Sequence, residues 1–187
     1  VITGGAGLLG KQHARALMQN GCKVMLWDVD ETKLKEVVRE LNEEFNGKLA
    51  ECQVLDITVE QDILKAVNEI ASDKRDIDIL INNAAINPKF ASDISSSRFE
   101  NYSSEIWNKE IAVGLTGAML CSKIVGTRML KQVNKGVILH IASDLSVIAP
   151  DQRIYRSTNS SIESDFVKPV SYSVIKTGLI GLTRYLA

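Results

Sequence analysis

The sequence predicts an α/β protein of three layers, α/β/α, built on a doubly wound parallel sheet. Three observations lead there. Short apolar runs without polar alternation recur along the chain, as in strands covered on both faces. Segments with apolar residues at helical spacing stand between them. A glycine run, Gly4-Gly5-Ala6-Gly7-Leu8-Leu9-Gly10, joins the first strand to the first helix.

The elements follow in order. Val1-Ile2-Thr3 reads as the tail of a strand, and Leu8 to Asn20 as the helix after the glycines. Lys23 to Val29 is a second strand. Glu31 to Phe45 then carries Leu34, Val37, Val38 and Leu41 on one helical face. Leu49 to Ile57 is strand-like, and Val59 to Ser72 is helical through Ile63, Leu64, Val67 and Ile70. Ile77 to Asn82 and Gly136 to Ala142 are apolar strands on either side of a long helix, Ser104 to Val133. Tyr172 to Ala187 is helical. Asp30, Thr58 and Ser103-Ser104 stand where side chains cap helix N-termini. Two irregular stretches, 86–103 and 149–171, exceed ordinary connections and are candidate substrate loops. The chain reads as one domain over 1–187, cut at both ends: no initiator Met precedes Val1, and no stop signal follows the last helix.

Composition narrows the function. Lys plus Arg number 22 against 23 for Asp plus Glu, a formal charge of −1, so no basic excess awaits nucleic acid or an anionic membrane. The uncharged stretch Ile111 to Ser122 has 12 residues, too few to span a bilayer. Cys22, Cys52 and Cys121 are odd in number and far apart, which suits a reducing, cytoplasmic setting and excludes a disulfide scaffold or a zinc ribbon. With only His13 and His140, a His-rich metal site is not expected; His140 reads as a core histidine on a buried strand.

The glycine run permits a tight turn and lets backbone N–H groups meet a pyrophosphate at the helix N-terminus. Gly4, Gly5, Gly7, Leu8, Leu9 and Gly10 are therefore candidate cofactor contacts. Asp28 follows Gly10 by 18 residues, at the end of the second strand. A carboxylate there accepts hydrogen bonds from the adenine-ribose hydroxyls and repels a 2′-phosphate, which favours NAD over NADP. Two other readings stand beside this one. Gly5 to Lys11 fits the opening of a triphosphate-binding loop, G-x-x-x-x-G-K, although Gln12 replaces the Mg²⁺-binding Ser or Thr. A glycine turn that binds nothing is the plainest.

Asp56-Ile57, Asn82-Asn83-Ala84-Ala85, Ser143 and Tyr172-x-x-x-Lys176 follow in that order. With the glycine loop, the set resembles the short-chain dehydrogenase/reductase family, in its single-domain branch, over essentially the whole chain. The resemblance implies a Rossmann-type dinucleotide-binding oxidoreductase domain. It also implies that Asp56 and Ile57 line the adenine pocket, that Asn83, Ala84 and Ala85 lie against the ribose and nicotinamide half, and that Lys176 and Tyr172 contact the cofactor as well as substrate. Asn82 and Asn83 alternatively cross-link neighbouring strands. Tyr172 is then the general acid/base, Lys176 its electrostatic partner, and Ser143 the donor that orients the substrate oxygen. A phenol titrates near ~10 in water; working near neutrality asks for about 4 kcal/mol of preferential phenolate stabilisation. No metal is implied, and the family's helix pairing implies a homodimer or homotetramer. Taken singly, Tyr172 also reads as packing at a helix start and Ser143 as a cap.

Three departures qualify the resemblance. Gly114 stands where the family places a catalytic Asn, and a local break in the helix would leave a backbone carbonyl to serve instead. The loop spacing T-G-x-x-G-x-x-G is closer to the sugar-nucleotide epimerase and dehydratase branch. Between Ser143 and Tyr172 lie 28 residues, longer than the family's usual connection, with Arg153, Arg156 and Lys168 able to clamp a substrate phosphate or carboxylate. Ser143 to Arg153 resembles members associated with bacterial flagellin or surface-polysaccharide sugar modification, which points to a sugar or nucleotide-sugar substrate. The sequence-level expectation is an NAD-dependent interconversion of a secondary alcohol and a ketone. The alternatives are an epimerase or dehydratase that retains NAD, and a silent dinucleotide-binding regulatory protein.

Overall fold

The structure, a computed structural model, describes residues 1–47, 49–86, 94–155 and 166–187. By contact the chain gathers into two compact units, where the sequence reads as one domain: Val1–Ala85 with Thr116–Ile141, and Ile86–Leu115 with Ala142–Ala187. The second consists of the two long irregular stretches and the helical segments that follow them.

The first unit holds a five-stranded, all-parallel sheet in the order β3-β2-β1-β4-β5. Its strands are β1 (Ile2–Thr3), β2 (Val24–Asp28), β3 (Ala50–Val54), β4 (Ile79–Asn82) and β5 (Val137–His140). The chain winds outward from β1 to β3, then returns to β4 on the other side of β1. This reversal is the doubly wound topology that the sequence predicts, and its switch point lies between β1 and β4. Register sets Ile2 opposite both Leu26 and Ile81, and Asp28 opposite Val54.

Alternation along β2 explains the layers. Leu26 faces α1 (Leu8–Gln19) and α2 (Glu31–Glu44), in a core with Ile2, Ala14, Met18, Leu34, Leu41 and Ile81. Trp27, fully buried, points the other way. Its indole N–H donates to Gln53 Oε1 at 2.8 Å, and Gln53 in turn donates to Glu69 on α3 (Glu60–Ser72). On that face α5 (Ala118–Met129) packs against α3, β4 and β5, burying Cys121, Ile124 and Val125. The stretch Ser104–Met129 has the length and mean hydropathy of a membrane-crossing helix, 1.2 in its most apolar window. The α5 part of it spends its apolar side on this core.

Several boundaries differ from the sequence reading. Asp30 and Ser103 cap as expected, accepting from the N–H groups of Lys33 and Glu105. Thr58 does not: its hydroxyl and N–H both turn back to Asp56 Oδ1 at 2.8 Å, and α3 begins at Glu60 without a side-chain cap. On β5, Val137 and Leu139 are 63% and 48% exposed. Its ladder partner among the described residues is β4. The long helix is not continuous α-helix. α4 (Ser104–Ile111) widens into a π segment, Ala112–Gly117, before α5.

In the second unit the π segment meets α6 (Val170–Leu186) through reciprocal small residues. A methyl group on Gly114 would sit 2.8 Å from Ile175 Cγ2, and one on Gly178 would sit 3.0 Å from the Leu115 methyls. Gly114 is therefore required by close approach, and an Asn there has no room. Ile175 is buried and β-branched, so it yields little. Gly114→Asn should lower unfolding free energy by about 1–3 kcal/mol through overpacking. Urea denaturation checks this, and an unchanged midpoint would show that α6 shifts without cost.

Candidate functional site

The candidate residues fall into two groups, one in each unit. In the first, the glycine loop sits at the C-terminal end of β1. Gly4 has φ +66°, and a Cβ there would lie 2.9 Å from Ala84 Cα. Gly5 N–H donates to the Trp27 carbonyl at 3.0 Å, which fastens the loop to β2. At Gly10 a Cβ would lie 2.2 Å from the Gly4 carbonyl oxygen, so the first turn of α1 closes directly on the loop.

Asp28, at the end of β2, is part of the same construction. Its carboxylate accepts the Ala6 N–H at 3.0 Å and the Asp30 N–H at 3.1 Å. A carboxylate offers about four acceptor positions, so it keeps capacity for two hydroxyl donors. No side chain caps the N-terminus of α1, whose cap residue is Gly7, and its first turn carries no carboxylate. Leu8 and Leu9 are exposed there. Free N–H groups, a favourable helix dipole and a loop that no side chain fills are what a dinucleotide pyrophosphate needs, so these residues fit that group. The triphosphate-loop alternative loses its lysine: Lys11 is ion-paired with Glu40 on α2.

Thr3 and Asn83 hold this region together. Thr3, 1% exposed, accepts the Asn83 and Ala84 N–H groups on its hydroxyl, each at 3.0 Å, and that hydroxyl donates to the Ile81 carbonyl. The Asn83 amide donates to the carbonyls of Thr3 at 2.9 Å and Gly4 at 3.2 Å. Asn82 donates to Ser122 on α5 and meets His140 Nδ1 at 3.2 Å; burial lowers the His140 pKa from its ordinary value. Both asparagines thus cross-link strands and neighbours in the way the sequence allows. Ala85 follows, exposed. Asp56 anchors the turn to Thr58, and Ile57 is buried at 7% exposure.

In the second unit, α6 carries Tyr172 and Lys176 one turn apart. Lys176 Nζ lies 5.7 Å from the Tyr172 ring centroid, and Lys168 Nζ lies closer, at 3.8 Å. Lys176 is 7% exposed, and its pKa is lowered, first by burial and then by the charge of Lys168. Two neighbours lock the start of α6. Buried Ser171 meets the Tyr102 hydroxyl at 2.9 Å, and that hydroxyl also donates to buried Glu110 on α4. Burial and then this carboxylate push Tyr102 up to about 12. The tie was not read from the sequence; its only signal is a Glu at a position that the helix buries.

Ser143 caps the turn Asp144–Ser146. Its hydroxyl donates to Asp144 Oδ1 at 2.7 Å and accepts the Leu145 N–H, and that turn packs on α6 through Thr177. Hydrogen bonding from Ser143 and from backbone N–H groups lowers the Asp144 pKa. Arg153 grips Asp151 on its own turn with two bonds, at 2.9 and 2.8 Å, and Arg156 lies outside the described residues. The two candidate loops meet around a cavity of about 400 Å³, lined by Ser97, Arg98, Gln152, Lys168, Pro169 and Ser173 among others. Among the described residues no cluster of His, Cys, Asp and Glu is arranged to hold a metal.

By fold the chain is a Rossmann-like α/β domain with its glycine loop at the switch point of a parallel sheet. The sequence profile of short chain dehydrogenases matches residues 1–187, and the chain belongs to that family. The short chain dehydrogenase/reductase dpfgG of Gibberella zeae is 34% identical over 191 residues, covering all of this chain and 62% of the relative. An NAD-dependent glycerol dehydrogenase of Listeria innocua is 29% identical, again over all of this chain and 62% of the relative. A solved structure of NAD⁺-bound xylitol dehydrogenase matches with a TM-score of 0.81 at 26% identity, covering 100% of this chain and 62% of that one. The chain spans less than two thirds of the length of these relatives.

Asn83→Ala removes donors to two backbone carbonyls that stand partly buried. The expected loss is about 1–2 kcal/mol of stability. Chemical denaturation measures it, and a midpoint equal to that of the parent would mean that Thr3 alone carries the tie.

Proposed function

We propose that the protein is an NAD-dependent oxidoreductase that interconverts a secondary alcohol and a ketone on a sugar or another polyhydric alcohol. The observation that carries this reading is the Tyr172 ring with the buried Lys176 ammonium 5.7 Å from its centroid, one turn along α6. A neighbouring ammonium favours the phenolate, which is the direction that proton exchange with an alcohol near neutrality requires.

The roles follow from the residue types. When bound, the nicotinamide supplies the acceptor or donor of hydride. Tyr172 takes the hydroxyl proton at its phenolic oxygen as the alcohol is oxidised, and returns it in the reverse direction. Lys176 holds the phenolate by its charge and the nicotinamide ribose by hydrogen bonds. Ser143 exchanges its bond to Asp144 for one to the substrate oxygen. Asp28 receives the two adenine-ribose hydroxyls, and the N–H groups at the start of α1 receive the pyrophosphate. A 2′-phosphate beside Asp28 meets like charge, and this sets NAD above NADP. The cavity between the two loops is the substrate region, offering Ser97, Gln152 and Ser173 as polar contacts. The glycerol and xylitol dehydrogenases among the similar proteins support a polyhydric alcohol.

Titration of NAD⁺ and NADP⁺ into the whole protein tests the reading. NAD⁺ should bind more tightly, and Asp28→Ala should weaken NAD⁺ about tenfold and narrow the difference from NADP⁺. With polyols, turnover should release NADH in proportion to ketone formed, and Tyr172→Phe should abolish it while leaving NAD⁺ binding in place. Binding of neither dinucleotide refutes the reading; turnover without net NADH assigns the protein to hydride-returning epimerases or dehydratases.

A further inference from the structure

Lys168 is four residues ahead of Tyr172, in the extended stretch before α6. Its ammonium lies 3.8 Å from the centroid of the Tyr172 ring, closer than Lys176 at 5.7 Å. The placement is built. The Gln152 side chain accepts the Lys168 N–H at 2.8 Å and donates to its carbonyl at 3.4 Å, gripping one residue's backbone from both sides. Val167 N–H donates to buried Ser97 at 3.1 Å, and Pro169, buried, restricts the conformation of the residue before it. Among the described residues no carboxylate pairs with the Lys168 ammonium.

Two like charges over one ring repel each other, and Lys176 is already buried. The arrangement is favourable where the ring itself turns negative. A cation over the face of an aromatic ring is attracted by the ring even when neutral, and more strongly by a phenolate. Among the described residues the other charged groups do not cancel this. On α4, Glu110 is held by the Tyr102 hydroxyl, while Glu105 and Lys109 are exposed. In the turn that packs on α6, Asp144 is held by Ser143 and by the Leu145 N–H. Arg98, on the cavity wall, is paired with Glu100.

We propose that Lys168 is a second cation acting through Tyr172, a positioning residue that shares with Lys176 the task of stabilising the phenolate. The proposal rests on the reading of Tyr172 as the acid/base. Lys168 thereby sets the pH at which the enzyme works, and is not chiefly a clamp for an anionic substrate.

The test is a tyrosinate absorbance titration of the whole protein, with Tyr172→Phe subtracted to isolate one of the 4 tyrosines. In Lys168→Met the Tyr172 inflection should move up by about half a pH unit or more. Lys168→Gln should do the same, and Lys168→Arg should leave it near the parent position. The acid limb of kcat/KM for polyol oxidation should move with it. An inflection that stays in place in folded Lys168→Met and Lys168→Gln overturns the proposal. So does a rise in KM confined to phosphorylated or carboxylated substrates with the pH profile unmoved, which would make Lys168 a substrate contact. The titration needs no turnover. If Tyr172→Phe retains full activity, the acid/base reading fails, while the inflection still decides whether Lys168 acts on the ring.

Discussion

The hydroxyl of Thr3 bears more of the sheet's functional end than its size suggests. β1 sets Ile2 and Thr3 between β2 and β4 and carries the glycine loop. Beyond the ladder the chain turns at once into the glycine loop. The direction is set by side chains: Thr3 receives two N–H groups from the end of β4, and Asn83 returns two bonds to the carbonyls of Thr3 and Gly4. Leaving such buried groups unpaired is costly, so the two strand ends are locked as one piece. Gly4 then turns with positive φ against Ala84, and Ala6 reaches Asp28. The loop, the start of α1 and the carboxylate on β2 are one hydrogen-bonded body.

The second unit solves a different problem, that of holding cations against an aromatic ring. α6 is pinned by shape, through Gly114 against Ile175 and Gly178 against Leu115, and by polarity, through Ser171, Tyr102 and Glu110. These contacts surround the first turns of the helix, which carry Tyr172 and Lys176. Rigidity matters because burying an ammonium beside a second one is unfavourable and would otherwise relax by moving apart. The π segment belongs to this solution: it carries Gly114, whose missing side chain leaves room for Ile175 of α6.

Much of this was legible. Strand and helix order, the glycine run and the caps at Asp30 and Ser103 follow from patterns spanning a few residues. Where the reading went astray, a distant or competing partner had intervened. Thr58 stands one residue too early to cap: its N–H and hydroxyl donate to Asp56, and α3 begins at Glu60. Lys168 was grouped with Arg153 by charge alone, although its partner is an aromatic ring.

By itself the sequence determined the layer order, the place of the glycine loop, the acid at the end of the second strand and the Tyr172–Lys176 spacing. All of these are expressed in periodicity or in fixed short offsets, which local backbone geometry enforces. Only the tertiary structure decided that Asn83 ties to Thr3, 80 residues away, and that Lys168 lies over Tyr172. Those outcomes depend on how separate segments compete for the same donors, acceptors and space. No spacing within one segment encodes that competition.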